Sequence, residues 1–206
     1  MKSVLVANIK GGCGKTTIAT HLAAAFAKAG HTTVLADVDR QKSSLGWLDR
    51  RPATAAPLVG LDWTKDIDGA PKSTHWLVID APAALKTRQI EDLVRLADMV
   101  VLPVLPGAFD EQATQRFLKK LEELKPIARN KKPVAVVGNR LKARTKSAER
   151  LDAFLGGVGH MVVTRLRDSQ IYPDAAATGL TLFDLGGKRA AEHRADWEPL
   201  LAYLQG

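Results

Sequence analysis

Eight consecutive residues, Lys10-Gly11-Gly12-Cys13-Gly14-Lys15-Thr16-Thr17, bring two lysines, three glycines and two hydroxyls into one place. Gly11, Gly12 and Gly14 lack the Cβ that stops a backbone from turning successive N–H groups toward one point, so this stretch suits a loop that cradles phosphate oxygens. Lys15 adds a mobile cation for β- and γ-phosphates, and the Thr16 hydroxyl a ligand for Mg²⁺. The end of the stretch fits the pattern G-x-x-x-x-G-K-[ST], but Ile9 occupies the place of the first glycine and Lys10-Gly11-Gly12 stands there instead. The loop therefore carries one lysine more than phosphate binding needs.

Two further segments hold carboxylates where a phosphate loop would use them. Asp37-Val38-Asp39-Arg40-Gln41 sets two acids at alternating positions beyond an apolar run, a pattern for metal handling and water positioning. Trp76-Leu77-Val78-Ile79-Asp80-Ala81-Pro82 ends an apolar run in an acid, which suits a water-mediated hold on Mg²⁺. Asn139 follows a third apolar run, where its amide could pair with a purine edge or simply close a turn.

The elements that position these groups follow from periodicity. Candidate strands are Val4 to Ala7, Thr33 to Ala36, Leu77 to Ile79, Met99 to Leu102, Val134 to Val137 and Met161 to Thr164. Ile18, Leu22 and Phe26 recur at helical spacing from the glycine loop to Gly30, a natural stop, so a helix N-terminus should point at the phosphates. Gln112 to Leu124, Ser147 to Leu155 and Ala190 to Leu204 are further helix candidates, and Pro52 to Pro71 reads as a connection with at most a short strand. Strands alternating with helices predict an α/β fold: a mainly parallel, twisted sheet with helices on both faces, in one domain over residues 1–206.

At 206 residues the chain can bury a sizeable core without a second domain. Cys13 is its only cysteine, which excludes an internal disulfide framework and fits a reducing compartment. No apolar run reaches membrane-span length and no secretory leader precedes the first strand, so a cytoplasmic protein is expected. The net charge of +8 concentrates in two groups, Arg129 to Arg150 and Lys188 to Arg194, with Arg165 and Arg167 between them. Such a surface attracts polyanions; nucleic acid is the favoured partner, with Arg140, Lys142, Arg144, Lys146, Arg165, Arg167, Lys188 and Arg189 as candidate contacts.

In their order along the chain, the K-G-G-x-G-K-T loop, the D-x-D-x-Q segment and the D-x-P strand end resemble the ParA/MinD group of ATPases, whose loop is a deviant Walker A. The resemblance extends through Pro103-Val104-Leu105-Pro106-Gly107-Ala108-Phe109-Asp110 and Gly138-Asn139-Arg140 to a C-terminal element around Arg167, Ala175 and Gly179. It implies a P-loop fold and ATP and Mg²⁺ as cofactors, with nucleotide contacts from Gly11, Gly12, Cys13, Gly14, Lys15, Thr16 and Thr17 and adenine recognition by Asn139. It places Thr16, Asp37 and Asp80 around the metal and gives catalytic roles to Lys10, acting across a dimer, to Lys15, and to Asp39, which orients the attacking water. Arg40 departs from the family's proline and Gly107 from its serine.

By this resemblance the expected activity is ATP hydrolysis, slow until a partner stimulates it. ATP would close a homodimer that binds double-stranded DNA without sequence preference, and a ParB-like or cargo-adaptor protein would trigger release. The expected location is the nucleoid and the expected cargo a plasmid or protein assembly. With no helix-turn-helix segment ahead of the first strand, a short form is expected. A MinD-like membrane ATPase and a metabolic enzyme of the same superfamily are the alternatives; the acids and Pro199 of the 190–206 tail and the missing cluster cysteines count against them.

Overall fold

Alternation along the first strand, β1 (Lys2–Val6), sets the two faces of the molecule. Val4 and Val6 belong to one buried cluster, Leu5 and Ala7 to the other. Both faces are apolar because both are covered, as a parallel sheet requires.

The computed structural model describes residues 1–129 and 131–206. The remaining strands are β2 (Thr33–Asp37), β3 (Val59–Asp62), β4 (Trp76–Asp80), β5 (Met99–Val104), β6 (Val134–Leu141) and β7 (Met161–Arg167). They form one seven-stranded sheet in the order β3-β2-β4-β1-β5-β6-β7, every pairing parallel. Each predicted strand is present, and β3 is the short strand the 52–71 connection allowed.

The helices divide between the faces. α1 (Lys15–Lys28) packs with Val4, Val6, Leu35, Val78 and Val101 through Ile18, Leu22 and Phe26. α3 (Thr87–Leu96), α4 (Ala108–Glu123) and α6 (Lys146–Gly156) cover the other face through Leu93, Phe117, Leu121 and Leu151, each fully or almost fully buried. Burying one such side chain is worth about 1.5–3 kcal/mol. α1 stops where Gly30 takes φ +88, and the His31 amide donates back to the Phe26 carbonyl at 3.1 Å, closing the last turn.

Short helices complete the frame: α2 (Ser43–Asp49), α5 (Lys125–Ala128), α7 (Ile171–Ala177), α8 (Lys188–Arg194) and α9 (Glu198–Gln205). The helix expected over Ala190 to Leu204 is broken: α8 passes through a 3₁₀ turn at Ala195–Trp197 into α9. Pro199 lies in the first turn of α9, where its missing N–H costs nothing, and so marks a new helix start. Leu200 and Leu204 of α9 are fully buried, so its apolar side is spent on the core. Among the described residues no helix is long and apolar enough to cross a membrane.

The chain reverses its direction of travel across the sheet at β1, whose neighbours are β4 and β5. In such sheets the crevice beyond the carboxyl ends of the strands at the reversal is where ligands sit. Gly11, Gly12, Gly14, Asp37, Asp39 and Asp80 lie at that edge.

Candidate nucleotide-binding site

Directly after β1 the chain must turn and enter α1 without blocking the crevice. Gly12 and Gly14 do this in the left-handed region, at φ +74 and +96. Gly14 is the N-cap of α1 and offers no side-chain acceptor to the first-turn amides, which leaves their donors and the positive helix end for an anion. Gly14 has a second reason to lack a Cβ: one would lie 2.2 Å from Nδ2 of Asn139.

That contact ties two strands' loops together. Asn139 Nδ2 donates to the Cys13 carbonyl at 2.8 Å, and its Oδ1 accepts from the Arg140 amide at 3.0 Å. One N–H and one lone pair of the amide remain for a ligand. The Cys13 thiol is buried beneath the loop, and burial pushes it up from the ordinary thiol range, so it is not an activated nucleophile. Lys15 is also buried, its Nζ donating to the Lys10 carbonyl at 3.0 Å. Lys10, by contrast, is half-exposed at the mouth of the crevice and leans toward Asp110 at the start of α4.

Parallel register brings the acids together. Asp37, Asp80 and Val6 end adjacent strands as register partners, so two carboxylates sit side by side beneath the loop. They are treated differently. Asp37 is saturated: Oδ1 accepts from the Asp39 amide, and Oδ2 from the Ser44 amide and hydroxyl and the Leu45 amide, at 2.7 to 3.2 Å. It orders the loop into α2 and reaches any bound ion through its charge. Neither buried oxygen of Asp80 completes a hydrogen bond. Burial pushes the Asp80 carboxyl up to about 7 against the pull of the Thr16 hydroxyl, and the charge of Asp37 adds to the rise. An unpartnered buried carboxylate beside a threonine hydroxyl fits a divalent cation; Thr16 and Asp80 are the residues that would hold one.

Two cavities open at this edge. A cleft of about 360 Å³ is lined by Gly11, Gly12, Gly14, Lys15 and Thr16 on one side and by Asp39, Gln41 and Ser43 on the other. A larger cavity of about 590 Å³ is lined by Asn139, Leu166, Asp168, Tyr172, Pro173 and Trp197 among others. Thr17 and Arg140 line both. The first is polar and faces a helix N-terminus; the second has the aromatic and aliphatic walls that suit a planar base.

The aromatic wall is anchored by His21 of α1. Its ring stacks on Trp197 at 4.9 Å, Nδ1 lies 2.8 Å from the Thr17 carbonyl, and Nε2 accepts from the Leu182 amide at 3.3 Å. Complete burial lowers its pKa to about 4, so the ring is neutral and donates through Nδ1. The signal in the sequence was its place one residue before Leu22 of the buried stripe.

The cationic candidates do not form one free face. Lys142 pairs with Asp168, Arg165 with Asp152, Arg167 with Asp196 and Lys188 with Glu192. Arg189 donates to the Ser169 hydroxyl. Among the described residues Arg140, Arg144 and Lys146 are exposed with no acid in pairing range, and Arg140 also lines both cavities.

Comparison with known proteins agrees with this geometry. The model of the CobQ/CobB/MinD/ParA nucleotide binding domain matches residues 4–182. The chain is 28% identical to the maintenance of carboxysome distribution protein A of Halothiobacillus neapolitanus, over 92% of this chain and 91% of that protein. It is 31% identical to the protein of the same name from Gloeobacter kilaueensis, over 94% and 89%. Its fold superposes on Cyanothece McdA in complex with ATP with a TM-score of 0.74 at 17% identity, covering 97% of this chain and 96% of the other. With its loop, paired acids and switch-point crevice arranged in this way, the chain belongs to the CobQ/CobB/MinD/ParA nucleotide-binding domain family.

Proposed function

We propose that the protein is a ParA-type ATPase: ATP closes a sandwich dimer, the dimer binds DNA without sequence preference, and a partner-stimulated hydrolysis step releases it to position a cargo. The observation that carries the reading is the polar cleft in which Lys15 and Thr16 face Asp39 and Gln41, walled in common with a base-sized cavity. The names of a carboxysome-distribution relative and a plasmid-partition neighbour support a protein assembly or a plasmid as the cargo class.

In this reading the first-turn amides of α1 and Lys15 hold the terminal phosphates, and the larger cavity takes adenine against Tyr172, which Trp197 backs from the core. Mg²⁺ held by Thr16 and Asp80 supplies further neutralisation of phosphate charge. Asp39 sits across the cleft from the loop, half-buried, with Oδ1 fixed by the Gln41 amide at 3.0 Å. It is placed to orient a water for attack in line with the leaving phosphate. Lys10 completes the charge balance from the opposite subunit. Phe109, an aromatic ring 79% exposed next to Asp110 at the same mouth, supports a second copy docking there.

The test is binding to non-specific double-stranded DNA and to anionic liposomes, with ATP, ADP or no nucleotide, over a salt series. ATP-dependent, steeply salt-sensitive DNA binding that weakens in Arg144→Ala and Lys146→Ala supports the reading. Liposome binding without DNA binding overturns it. Lys10→Ala is expected to keep nucleotide binding and lose stimulated turnover.

A further inference from the structure

Arg140 is an exposed cation that the sequence assigns to DNA and that the structure also sets on the wall of both cavities. On β6, Gly138 and Leu141 pair with Arg165 and Arg167 of β7, so three steps on one strand match two on its neighbour. The extra residue makes a bulge of Asn139 and Arg140, a device that re-aims side chains at the end of a strand. Arg140 occupies it at φ +54, a left-handed conformation that a residue with a Cβ rarely takes. Strain of this kind persists where surrounding structure holds it, and here the holding group is known: the Arg140 amide donates to Asn139, whose own amide is bound to the phosphate loop.

The result is a guanidinium with a defined outlook. Arg140 lines both the 590 Å³ base-sized cavity and the 360 Å³ phosphate cleft. Lys142, Arg165 and Arg167 nearby each pair with an acid, whereas Arg140 has none in range among the described residues. A molecule laid from the one cavity into the other passes this wall with the part of a nucleotide that joins base to terminal phosphates. The anionic group at that point is the phosphate next to the ribose.

We propose that Arg140 is a nucleotide-binding residue whose guanidinium takes the ribose-proximal phosphate, and that it does not belong to the DNA surface. The proposal rests on the reading of the crevice as an adenine-nucleotide site. Because that phosphate is common to ATP and ADP, Arg140 serves affinity for both and does not discriminate between them.

The experiment is calorimetric titration of ADP and of a non-hydrolysable ATP analogue into the full chain, its Arg140→Gly and Arg140→Lys variants, and Lys119→Ala, an exposed cation on α4, as control. Glycine suits the left-handed backbone, so Arg140→Gly removes the cation without straining the bulge, and a thermal melt confirms the fold. Arg140→Gly is expected to weaken ADP and the analogue alike by about tenfold or more, the usual scale for a charge-assisted hydrogen bond. Arg140→Lys should retain part of the affinity, and Lys119→Ala should show no loss. Unchanged ADP affinity in a folded Arg140→Gly protein overturns the proposal while leaving the nucleotide site standing, and a loss confined to DNA binding does so as well. Failure of the parent chain to bind either nucleotide overturns both readings.

Discussion

The Lys10 ammonium lies 3.5 Å from Oδ1 of Asp110 within one chain, at the mouth of the phosphate cleft. Both side chains are partly exposed, 38% and 18%, so the pair is weak, on the order of 1 kcal/mol or less. It nevertheless occupies the lysine that the proposed dimer needs. A Cβ on Gly107 would lie 2.4 Å from the Asp110 carboxylate, so the glycine found where the family has serine lets Asp110 fold back toward Lys10.

Asp110→Asn is expected to release Lys10 and strengthen ATP-dependent dimerisation by up to about fivefold, the equivalent of that weak pair. Sedimentation of parent and variant with ATP and with ADP measures it. A weaker ATP dimer in the variant would show that Asp110 itself serves the interface.

Asp80→Asn should separate stability from metal chemistry. With a folded pKa of about 7, raised above the unfolded value of 3.8, Asp80 favours the folded state below the lower value. That contribution is lost as pH rises through the upper one. At pH 8 in chelator the variant is expected to be more stable than the parent, by an amount on the order of 4 kcal/mol at most, with no advantage at pH 3. Its Mg²⁺-dependent turnover should fall to background. A variant that melts equally to the parent at pH 8 would mean that Asp80 is not carrying an uncompensated charge.

His21 predicts an acid limit. Its pKa is about 4 folded, against an ordinary imidazole value of 6.5, so its contribution is present above pH 6.5 and drains away as pH falls toward 4. One such group changes stability by about 1.4 kcal/mol per pH unit inside that window. His21→Phe keeps the stack on Trp197 and should flatten this part of the denaturant-midpoint profile between pH 6.5 and 4.5, at the cost of two hydrogen bonds. An unchanged profile would place the acid sensitivity elsewhere.

Arg51→Met tests the fastening of the C-terminal element. Arg51 makes a bidentate pair with Asp184 at 2.8 and 2.9 Å and also donates to Gly179 and Ala56, with both partners' side chains under 10% exposed. Burial alone would raise the Asp184 carboxyl, but the bonds from Arg51 and Thr181 outweigh it and hold it low. Removing the arginine strands a buried charge, and a loss of about 3–5 kcal/mol in urea unfolding is expected. A double variant with Asp184→Leu should recover much of it.

Local signals made the crevice legible before any coordinates. The run from Val4 through the glycines into the Ile18, Leu22 and Phe26 stripe states strand, loop and helix in order, and short apolar runs ending in Asp37 and Asp80 state which ends of the strands face the ligand. Interactions between distant residues were not legible. Three of the four donors to Asp37 come from α2, a helix too short for a periodic pattern to declare itself. The acids that neutralise Lys142, Arg165 and Arg167 lie 13 to 29 residues away, so a cationic stretch of sequence became a mosaic on the surface. The bulge that sets Arg140 at the rim of both cavities depends on β7, which the spacing of β6 alone does not reveal.

Gly14 is usually valued for what it grants the phosphates. Here the same missing Cβ also admits Asn139, whose amide would stand 2.2 Å from it, and so lets the wall of the larger cavity lock onto the carbonyl of Cys13. The two cavities thus share a single fixed spacing, a ruler with one graduation. They cannot be retuned separately by mutation: a side chain at residue 14 would lengthen the ruler and disturb both at once.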